Sequence, residues 1–494
     1  MKRALYYLTI YLIVTIAVSC DELDNEPIGL LTEDQVDNNP TLTTLESSVT
    51  STYFPLRSTL WGGVPNSSWD LGTIFRNDII LQDIASHDMN KKWNPDGDQA
   101  WMDRVADFSF TPDNQAFNGI WTYDYEGISR ANLAIQFLTD DEVVNATGIN
   151  AARKNQLLSE VYFLRAYYYF DLLNNFGDVP LILTPPDSFE EALDLSVKSP
   201  SEEVRNQINT DLSAAKSLAV NEKFPDADDP WRISKGAIIA LQAKVALYNQ
   251  NWVEVLNYIQ ELEGFGFYAL NENYFDSFNA EKEFAENEVI FTYDHQSNEV
   301  PRDGNGLGRV MGWGFFAPTE NFLNAFEPND PRFLYTTDVV NQRSSKLLGS
   351  TSDFKGNDDG PGNKIYIRYA DVLLWKAEAL NETGDYSGAI AIINSIRQRA
   401  RTTPMVDGSM APPETLADRP QSTDKALIKE WLISERRVEL GFEAQRFNDL
   451  KRWGIAQEFL RSLGVNFESH NMLYPIPQPE LDKSGGTIVQ NSGY

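Results

Sequence analysis

The strongest constraint on the fold is a helix–turn–helix pattern that occurs twice in the chain. The first copy is ISKGAIIALQAKVALYNQNWVEVLNYIQEL (233–262), and the second is YIRYADVLLWKAEALNETGDYSGAIAIINSIRQRA (366–400). Each copy has a helix rich in small residues, a short polar turn, an aromatic residue and a second amphipathic helix. A unit of about 34 residues with this layout is typical of tetratricopeptide repeats, whose hairpins stack on one another. The pattern therefore predicts a mainly α-helical scaffold.

A long helix is also predicted to end at Phe176. Its apolar residues recur at helical spacing and form one wide buried face: Leu157, Val161, Leu164, Tyr168, Leu172 and Phe176. Gly177 fits a helix C-cap and Pro180 stops any continuation. In the two hairpins, small residues should let paired helices approach closely: Ala243, Ala246, Ala377 and Ala379. By contrast, residues 61–118 are predicted to be irregular, and residues 264–364 to be loops with short strands, because Gly, Asn, Asp and Pro clusters interrupt them.

The N-terminus resembles a bacterial lipoprotein signal. Lys2 and Arg3 precede an uncharged, mostly apolar run at 4–19 that is too short and too interrupted to span a bilayer. Cys20 follows and is the only cysteine, so no disulfide can form within the chain. A catalytic thiol is disfavoured because none of the three histidines lies in a recognisable motif. We therefore predict a signal peptide at 1–19, lipidation of Cys20, and a flexible acidic tether at 20–40.

Four sequence blocks resemble the SusD/RagB family, the surface glycan-binding lipoproteins of Bacteroidetes. They are RAYYYFDLLNNFGDVPL (165–181), RYADVLLWKAEALNETGD (368–385), ERRVELGFEAQRFNDLKRWG (435–454) and LYPIPQPELDKSGGTIVQNSGY (473–494). The resemblance implies about four tetratricopeptide-like helix pairs in a single domain at 41–494. It implies a helical scaffold chiefly at 120–263 and 364–460, with ligand-side loops chiefly at 60–118 and 264–363. It also implies an outer-membrane location and a SusC-like TonB-dependent transporter as partner.

The predicted function is therefore capture of an oligosaccharide or polysaccharide without catalysis. A formal net charge of −31 disfavours nucleic acid and favours a neutral glycan over an acidic one, with a β-glucan as the specific expectation. Two alternatives stay open. One is a protein of the same fold that captures peptides or glycopeptides, and the other is a surface glycoside hydrolase, whose paired carboxylates no sequence pattern reveals. HExxH, GxSxG and P-loop motifs are absent from the sequence.

No cofactor is expected. Glu435, Glu439 and Glu443 have helical spacing and could suggest a metal site, but the interleaved arginines favour ion pairs with neighbouring elements. The acidic, glycine-containing loops 94–98 and 356–363 could hold Ca²⁺. They lack the twelve-residue ligand frame that ends in glutamate, so ordinary turns are favoured.

The eleven tryptophans divide into two groups. Those within helical patterns are predicted to be core: Trp121, Trp252, Trp375, Trp431 and Trp453. Trp231, at a helix start, is ambiguous. The others lie among loop residues and are the candidates for a sugar-stacking surface, although satellite packing stays open for each: Trp61, Trp69, Trp93, Trp101 and Trp313. Polar companions are predicted to be Arg76, Asp78, Asn90 and Asp98.

Overall fold

The computed structural model describes residues 40–94, 96–295, 304–352 and 359–494. The predicted signal peptide, Cys20 and the tether up to residue 39 lie outside these residues. Helix makes up 53% and strand 5% of the structure, and all sheets are small and antiparallel. The predicted fold class is therefore confirmed.

The helices are numbered here in chain order. As far as residue 264 they are α1 (Leu42–Ser51), α2 (Ala100–Asp107), α3 (Gln115–Thr139), α4 (Asp141–Thr147), α5 (Ala151–Phe176), α6 (Phe189–Asp194), α7 (Ser201–Leu218), α8 (Lys235–Tyr248) and α9 (Trp252–Gly264). From residue 307 onwards they are α10 (Leu307–Gly312), α11 (Glu320–Leu323), α12 (Arg332–Thr336), α13 (Ser345–Leu348), α14 (Tyr369–Thr383), α15 (Tyr386–Thr402), α16 (Lys425–Glu439), α17 (Arg446–Arg452), α18 (Ala456–Ser462) and α19 (Gln478–Lys483).

The strands form three two-stranded antiparallel sheets among the described residues. β1 (Met89–Asn90) pairs with β5 (Ala317–Pro318), β2 (Val179–Pro180) with β3 (Lys198–Ser199), and β4 (Val289–Tyr293) with β6 (Lys364–Arg368). Single turns of 3₁₀-helix occur at Phe54–Leu56, Tyr274–Ser277, Ala280–Lys282 and Ser469–Met472, and a π-helical turn at Ile80–Ile84.

Four helix pairs form the scaffold. α1 packs on α3, α5 on α7, α8 on α9, and α14 on α15. Successive pairs are joined by the contacts of α3 with α5, α7 with α8, and α9 with α14, so the helices make one continuous ribbon. This is the stacking that tetratricopeptide-like hairpins need to bury their apolar faces. Both hairpins predicted from the sequence are present, as α8–α9 and α14–α15.

Helix α5 shows how directly the sequence specifies this scaffold. The Asn150 side chain caps its N-terminus by accepting a hydrogen bond from the Arg153 N–H, and Gly177 ends it with a φ of 76°. All six apolar residues predicted to face inward are fully buried. Its Tyr168 packs so closely on Gly127 of α3 that a Cβ at that glycine would lie 2.2 Å from the ring. Glycine at 127 thus sets the distance between the first two helix pairs.

The segment 61–118 is more regular than predicted. It contains α2 and the fully buried turn Ile80–Ile84. Trp101, Met102 and Val105 lie on one face of α2 and are buried, because they pack into the main hydrophobic core. The prediction of an irregular segment was wrong here because the helix is only two turns long and its neighbours Asn94, Gly97 and Asp98 are turn-forming residues.

The end of α16 carries a buried group of ion pairs, which we call the ion-pair hub. It consists of Glu435, Glu439 and Glu443 with Arg332, Arg368, Arg397, Arg399 and Lys346. Glu439 accepts from Arg332 at 3.0 Å and from Arg368 at 2.8 Å, and it also pairs with Arg399. The prediction of ion pairs with neighbouring elements is confirmed. One detail was wrong: α16 ends at Glu439, so Glu443 lies in the following turn and not on the same helical face.

Electrostatics fix the charge state of the hub. Burial alone would raise the pKa of Glu439, but the guanidinium groups of Arg399, Arg368 and Arg332 outweigh it and hold this pKa well below its usual range. The same balance lowers the pKa of Glu443, where Arg368 and Lys346 outweigh burial. Both carboxylates are therefore ionised at neutral pH, and each is surrounded by hydrogen-bond donors.

Candidate functional site

The two predicted loop regions meet at one place on the scaffold. β1, from the first region, pairs with β5, from the second, with Asn90 opposite Ala317. Nearby, the Gly306 N–H donates to the Ser58 carbonyl at 3.1 Å. Backbone pairing therefore holds two segments that lie more than two hundred residues apart in a fixed arrangement, which a binding surface built from both requires.

A group of aromatic side chains lies at this junction, and we call it the tryptophan cluster: Trp69, Trp313 and Phe315, with Trp93 adjoining it through its backbone. The ring centres of Trp69 and Trp313 are 6.4 Å apart, and those of Trp69 and Phe315 are 5.7 Å apart. The three tryptophans are half-buried and rest on the main core, whereas Phe315 is buried. Each indole thus has one part fixed by packing and another part open to solvent.

The backbone of Trp93 lies against Gly314, beside the cluster. This glycine has a φ of 91°, in the region that favours glycine, and a Cβ at this position would lie 3.1 Å from the Trp93 carbonyl carbon. A side chain at 314 would therefore be strained and would press against the 93–94 backbone. Glycine between Trp313 and Phe315 allows the two loop regions to approach.

Trp61 is the most exposed of the predicted tryptophans, with 53% of its surface accessible. Its φ is 61°, which is uncommon for any residue with a side chain and costs on the order of 1 kcal/mol or more. The loop is nevertheless held in place, because the Trp61 N–H donates to the Ile74 carbonyl at 2.9 Å. A strained and exposed indole of this kind is a feature that functional sites often retain.

Two predicted site residues are buried, and the structure corrects their assignment. Trp101 is 3% exposed and donates through its indole N–H to Gln99 Oε1 at 2.7 Å. Arg76 is fully buried, where its guanidinium pairs with Asp124 at 2.7 Å and with Asp171. Neither side chain can reach a ligand on the surface. Both positions lie in loop-like sequence, so only the packing of distant segments shows that they are interior.

The other three polar candidates are dispersed. Asp78 is nearly buried, pairs with Lys364 at 2.5 Å, and lines a cavity of about 80 Å³ between scaffold and loops. Asn90 is half-exposed in β1, where its Oδ1 accepts from the Lys92 N–H at 3.1 Å. Asp98 is exposed and accepts from the Gln99 side chain at 3.0 Å. Asn90 and Asp98 stay predictions as ligand contacts.

Arg309 is a polar neighbour of the cluster that the sequence analysis missed. Its guanidinium lies 5.9 Å from the Trp313 ring centre and pairs with Asp359 at 2.9 Å. The spacing Arg309-x-x-x-Trp313 at α10 places the two side chains one turn apart and could have indicated this contact. The guanidinium adds a hydrogen-bond donor beside an indole.

The helical tryptophans are buried to different degrees. Trp121, Trp375 and Trp453 are in the core, as predicted. Trp252 and Trp431 are only half-buried at the edges of core clusters, so the prediction was too strong for these two. Trp231 is also half-buried, with its ring in an edge contact with Tyr53 at 5.0 Å.

Two further observations concern the described part of the chain. Within it, no helix combines the length and the apolar character that crossing a membrane requires. Within the same residues, no group of three or more His, Cys, Asp or Glu side chains is placed so that it could hold a metal ion. The two loops considered for Ca²⁺ include residues outside the described ranges, namely Pro95 and 356–358.

The fold and the site define a class of protein: a scaffold of stacked helical hairpins that carries an aromatic surface on its inserted loops. Family models agree with this description. The SusD family model matches residues 334–470, and a model described as "Starch-binding associating with outer membrane" matches residues 73–247. Both matches are to SusD-type models, so the predicted resemblance to the SusD/RagB family is confirmed.

The chain is also similar to individual proteins and to solved structures. A SusD-like protein, P2, of Formosa agariphila is 26% identical, with both chains covered over their full length. Surface glycan-binding protein A from Bacteroides fluxus has a similar structure, with a TM-score of 0.74 at 23% identity, covering 92% of this chain and 100% of the other. A laminarin-binding SusD-like protein has a TM-score of 0.70 at 23% identity, with the same coverage. These structural likenesses establish the fold.

Proposed function

We propose that this protein is a non-catalytic, lipid-anchored lipoprotein of the outer membrane that binds a neutral oligosaccharide or polysaccharide. The tryptophan cluster is the observation that supports this proposal most strongly. A pyranose ring has apolar C–H faces that pack on an indole, and its hydroxyls pair with neighbouring polar groups. Half-exposed rings fixed by a core lose little conformational entropy when a ligand covers them.

The relatives support the same class of ligand. One structural neighbour is named for laminarin, another for surface glycans, and one matching family model for starch. Laminarin is a β-glucan, so it is the first ligand to test, with starch second. The strongly negative chain opposes an acidic polymer at the cluster through long-range repulsion.

Delivery of the bound glycan to a SusC-like TonB-dependent transporter is the second part of the proposal. Anchoring through lipid on Cys20 would confine many copies to the membrane surface, so that several weak contacts act together on one polymer. Expression with a Cys20→Ala change tests the anchor: the protein should leave the outer-membrane fraction and appear in a soluble fraction. Persistence of the variant in the membrane fraction would contradict lipid anchoring.

Calorimetry on residues 21–494 tests the binding function. The panel is laminarin, starch, an acidic polysaccharide and a peptide mixture, and the products are analysed after each titration. Saturable heat with a neutral glycan and no product supports the proposal. Released oligosaccharide would favour a glycoside hydrolase, and heat with peptides alone would favour a peptide-capturing protein of the same fold.

A further inference from the structure

A second cleft lies on the helical scaffold and shares no lining residue with the tryptophan cluster. Its volume is about 330 Å³. It is formed by the C-terminal ends of α5 and α8, the first turns of α7, helix α17, and a wall at Met472 and Leu473. Elements of the rigid scaffold therefore form it, and none of the loops that carry the first site takes part.

The lining of this cleft has a charge opposite to that of the whole chain. Arg205, Lys451 and Arg452 line it, and among the described residues no Asp or Glu does. The chain as a whole has 72 acidic against 41 basic residues. A concave surface with cations alone focuses a positive potential, even on an acidic protein.

Arg205 has an unusual environment for a half-buried arginine. Within the part of the chain that the structure describes, it makes neither a hydrogen bond nor an ion pair. Arg165, on the adjacent helix α5, shows the contrast, since its guanidinium pairs with Asp211 at 2.7 Å. The five N–H donors of Arg205 thus remain available to a ligand at the wall of the cleft.

Lys451 also lacks a carboxylate partner within the described residues. Its ammonium donates to the Asn174 carbonyl at 2.7 Å and lies 5.0 Å from the Phe447 ring centre. Burial lowers the pKa of Lys451 to about 7, although the charge of Asp171 opposes this shift. An anion bound beside the ammonium would compensate for the lost hydration.

Arg452 and the start of α7 do not contribute to the excess charge. Arg452 is neutralised by Glu378 at 2.6 Å and by Asp449 at 2.8 Å. The N-terminus of α7 is already capped, because Asp178 Oδ1 accepts from the Ser201 N–H at 2.8 Å. The unbalanced positive charge therefore belongs to Arg205, and to Lys451 in its protonated form.

The remaining lining suits a ring with hydroxyl groups. Tyr248 presents a half-buried ring, supported by an edge contact with Phe170 at 5.0 Å. Asn448 also lines the cleft, and its Oδ1 is buried without a hydrogen-bond partner in the described structure. A flat aromatic wall beside Arg205 and Lys451 matches a sugar that carries an acidic group.

We propose that this cleft binds a saccharide residue bearing a carboxylate or sulfate group, with Arg205 and Lys451 contacting the anion and Tyr248 contacting the ring. The choice of a sugar as the carrier of the acidic group rests on the proposed function. The cleft would let an acidic protein that captures a neutral polymer also recognise acidic substituents or acidic sugars.

Saturation-transfer NMR on residues 21–494 tests the proposal with three probes: glucuronate, glucose 6-sulfate and glucose. We expect transfer to at least one acidic sugar and much less to glucose. The acid that binds identifies the group, carboxylate or sulfate. Arg205→Gln should weaken that binding roughly tenfold, and the double variant Arg205→Gln/Lys451→Gln should abolish it. Added salt should weaken it as well, because the contact is a charge pair near the surface.

The controls separate this cleft from folding and from the first site. Arg205→Gln removes no hydrogen bond, so it should fold normally even if the double variant does not. The pair Lys282→Gln/Arg461→Gln changes the net charge equally at exposed positions elsewhere and should leave acid binding intact. Neutral-glycan binding should survive in Arg205→Gln and weaken roughly thirtyfold in Trp313→Ala, so the two sites can be impaired independently. Equal transfer to glucose and both acids, or acid binding unchanged in Arg205→Gln, would overturn the proposal.

Discussion

The ion-pair hub and the tryptophan cluster use side chains in opposite ways. In the hub, Glu439 is fully buried and contacts three guanidinium groups, so its interactions are complete within the fold. In the cluster, Trp69 and Trp313 are only half-buried, so part of each side chain is exposed to solvent. The hub joins α16 to α12, β6 and α15, whereas the cluster lies on inserted loops.

This difference separates stability from binding. Removing one partner of a buried ion pair leaves the other charges uncompensated and costs folding free energy. Removing a half-exposed ring that rests on the core costs less stability, but takes away the surface that a ligand would cover. If the two regions are separate in this way, variants in the hub should lose stability and variants in the cluster should lose affinity.

The largest effect is expected for Glu439→Gln. The change leaves Arg332, Arg368 and Arg399 around a neutral amide, which should lower the free energy of unfolding by about 3–5 kcal/mol. Urea denaturation gives this quantity. The matched control is Glu430→Gln on the exposed face of the same helix, which should change stability by less than about 0.5 kcal/mol. A similar small loss for both variants would contradict the role assigned to the hub.

The hub should also make stability depend on pH. Because the folded-state pKa of Glu439 is depressed, its contribution is fully present above the ordinary glutamate pKa, about 4.3, and is lost as the pH falls toward the folded-state pKa. The stability difference between wild type and Glu439→Gln should therefore be constant from pH 7 to 5 and shrink below about pH 4. Denaturation curves at pH 7, 5, 4 and 3 measure it. A stability difference between the two proteins that grows as the pH falls would contradict this prediction.

A smaller effect, on binding, is expected in the cluster. Trp313→Ala removes the ring that contacts Trp69 and Arg309, and should weaken neutral-glycan binding by about 2 kcal/mol, or roughly thirtyfold. Calorimetry with laminarin measures the change. Trp252→Ala removes a half-buried tryptophan from α9, away from the cluster, and should leave the affinity unchanged. An equal loss in both variants would mean that general destabilisation, and not a missing contact, weakens binding.

The smallest effect is expected at Trp61. Trp61→Gly relieves a positive φ, so stability should stay equal or rise slightly, while glycan affinity should fall by about 1 kcal/mol. Asn66→Gly is the matched control, because Asn66 is exposed in the same loop with a φ of 55°. It relieves similar strain without removing a ring, so its affinity should equal that of wild type. Unchanged affinity in Trp61→Gly would remove Trp61 from the site.

Local patterns predicted the scaffold well. The spacing from Leu157 to Phe176 and the glycine at 177 specify α5 without reference to any distant residue, and the structure agrees. The two hairpins follow from the same kind of information. The ion pairing of Glu435 and Glu439 could also be anticipated, because acidic and basic residues alternate along the segment.

The site was harder to predict because it depends on contacts between distant segments. Arg76 and Trp101 have the same loop-like surroundings in sequence as Trp69 and Trp93, yet the first two are buried. What separates them is the packing of Arg76 on Asp124 and Asp171, and of α2 on the core, which no local pattern contains. The meeting of Trp69 with Trp313 likewise requires the pairing of β1 with β5.

The most direct test measures glycan affinity and unfolding free energy together on the same preparations of wild type, Trp313→Ala and Glu439→Gln. The ligand is laminarin or, failing that, the neutral glycan of the panel that binds. We expect Trp313→Ala to lose most of its affinity for the glycan with only a small loss of stability. Glu439→Gln, at a temperature and pH where it remains folded, should lose stability and keep its affinity. Normal affinity in Trp313→Ala, or parallel losses of both quantities in both variants, would contradict the assignment of binding to the tryptophan cluster.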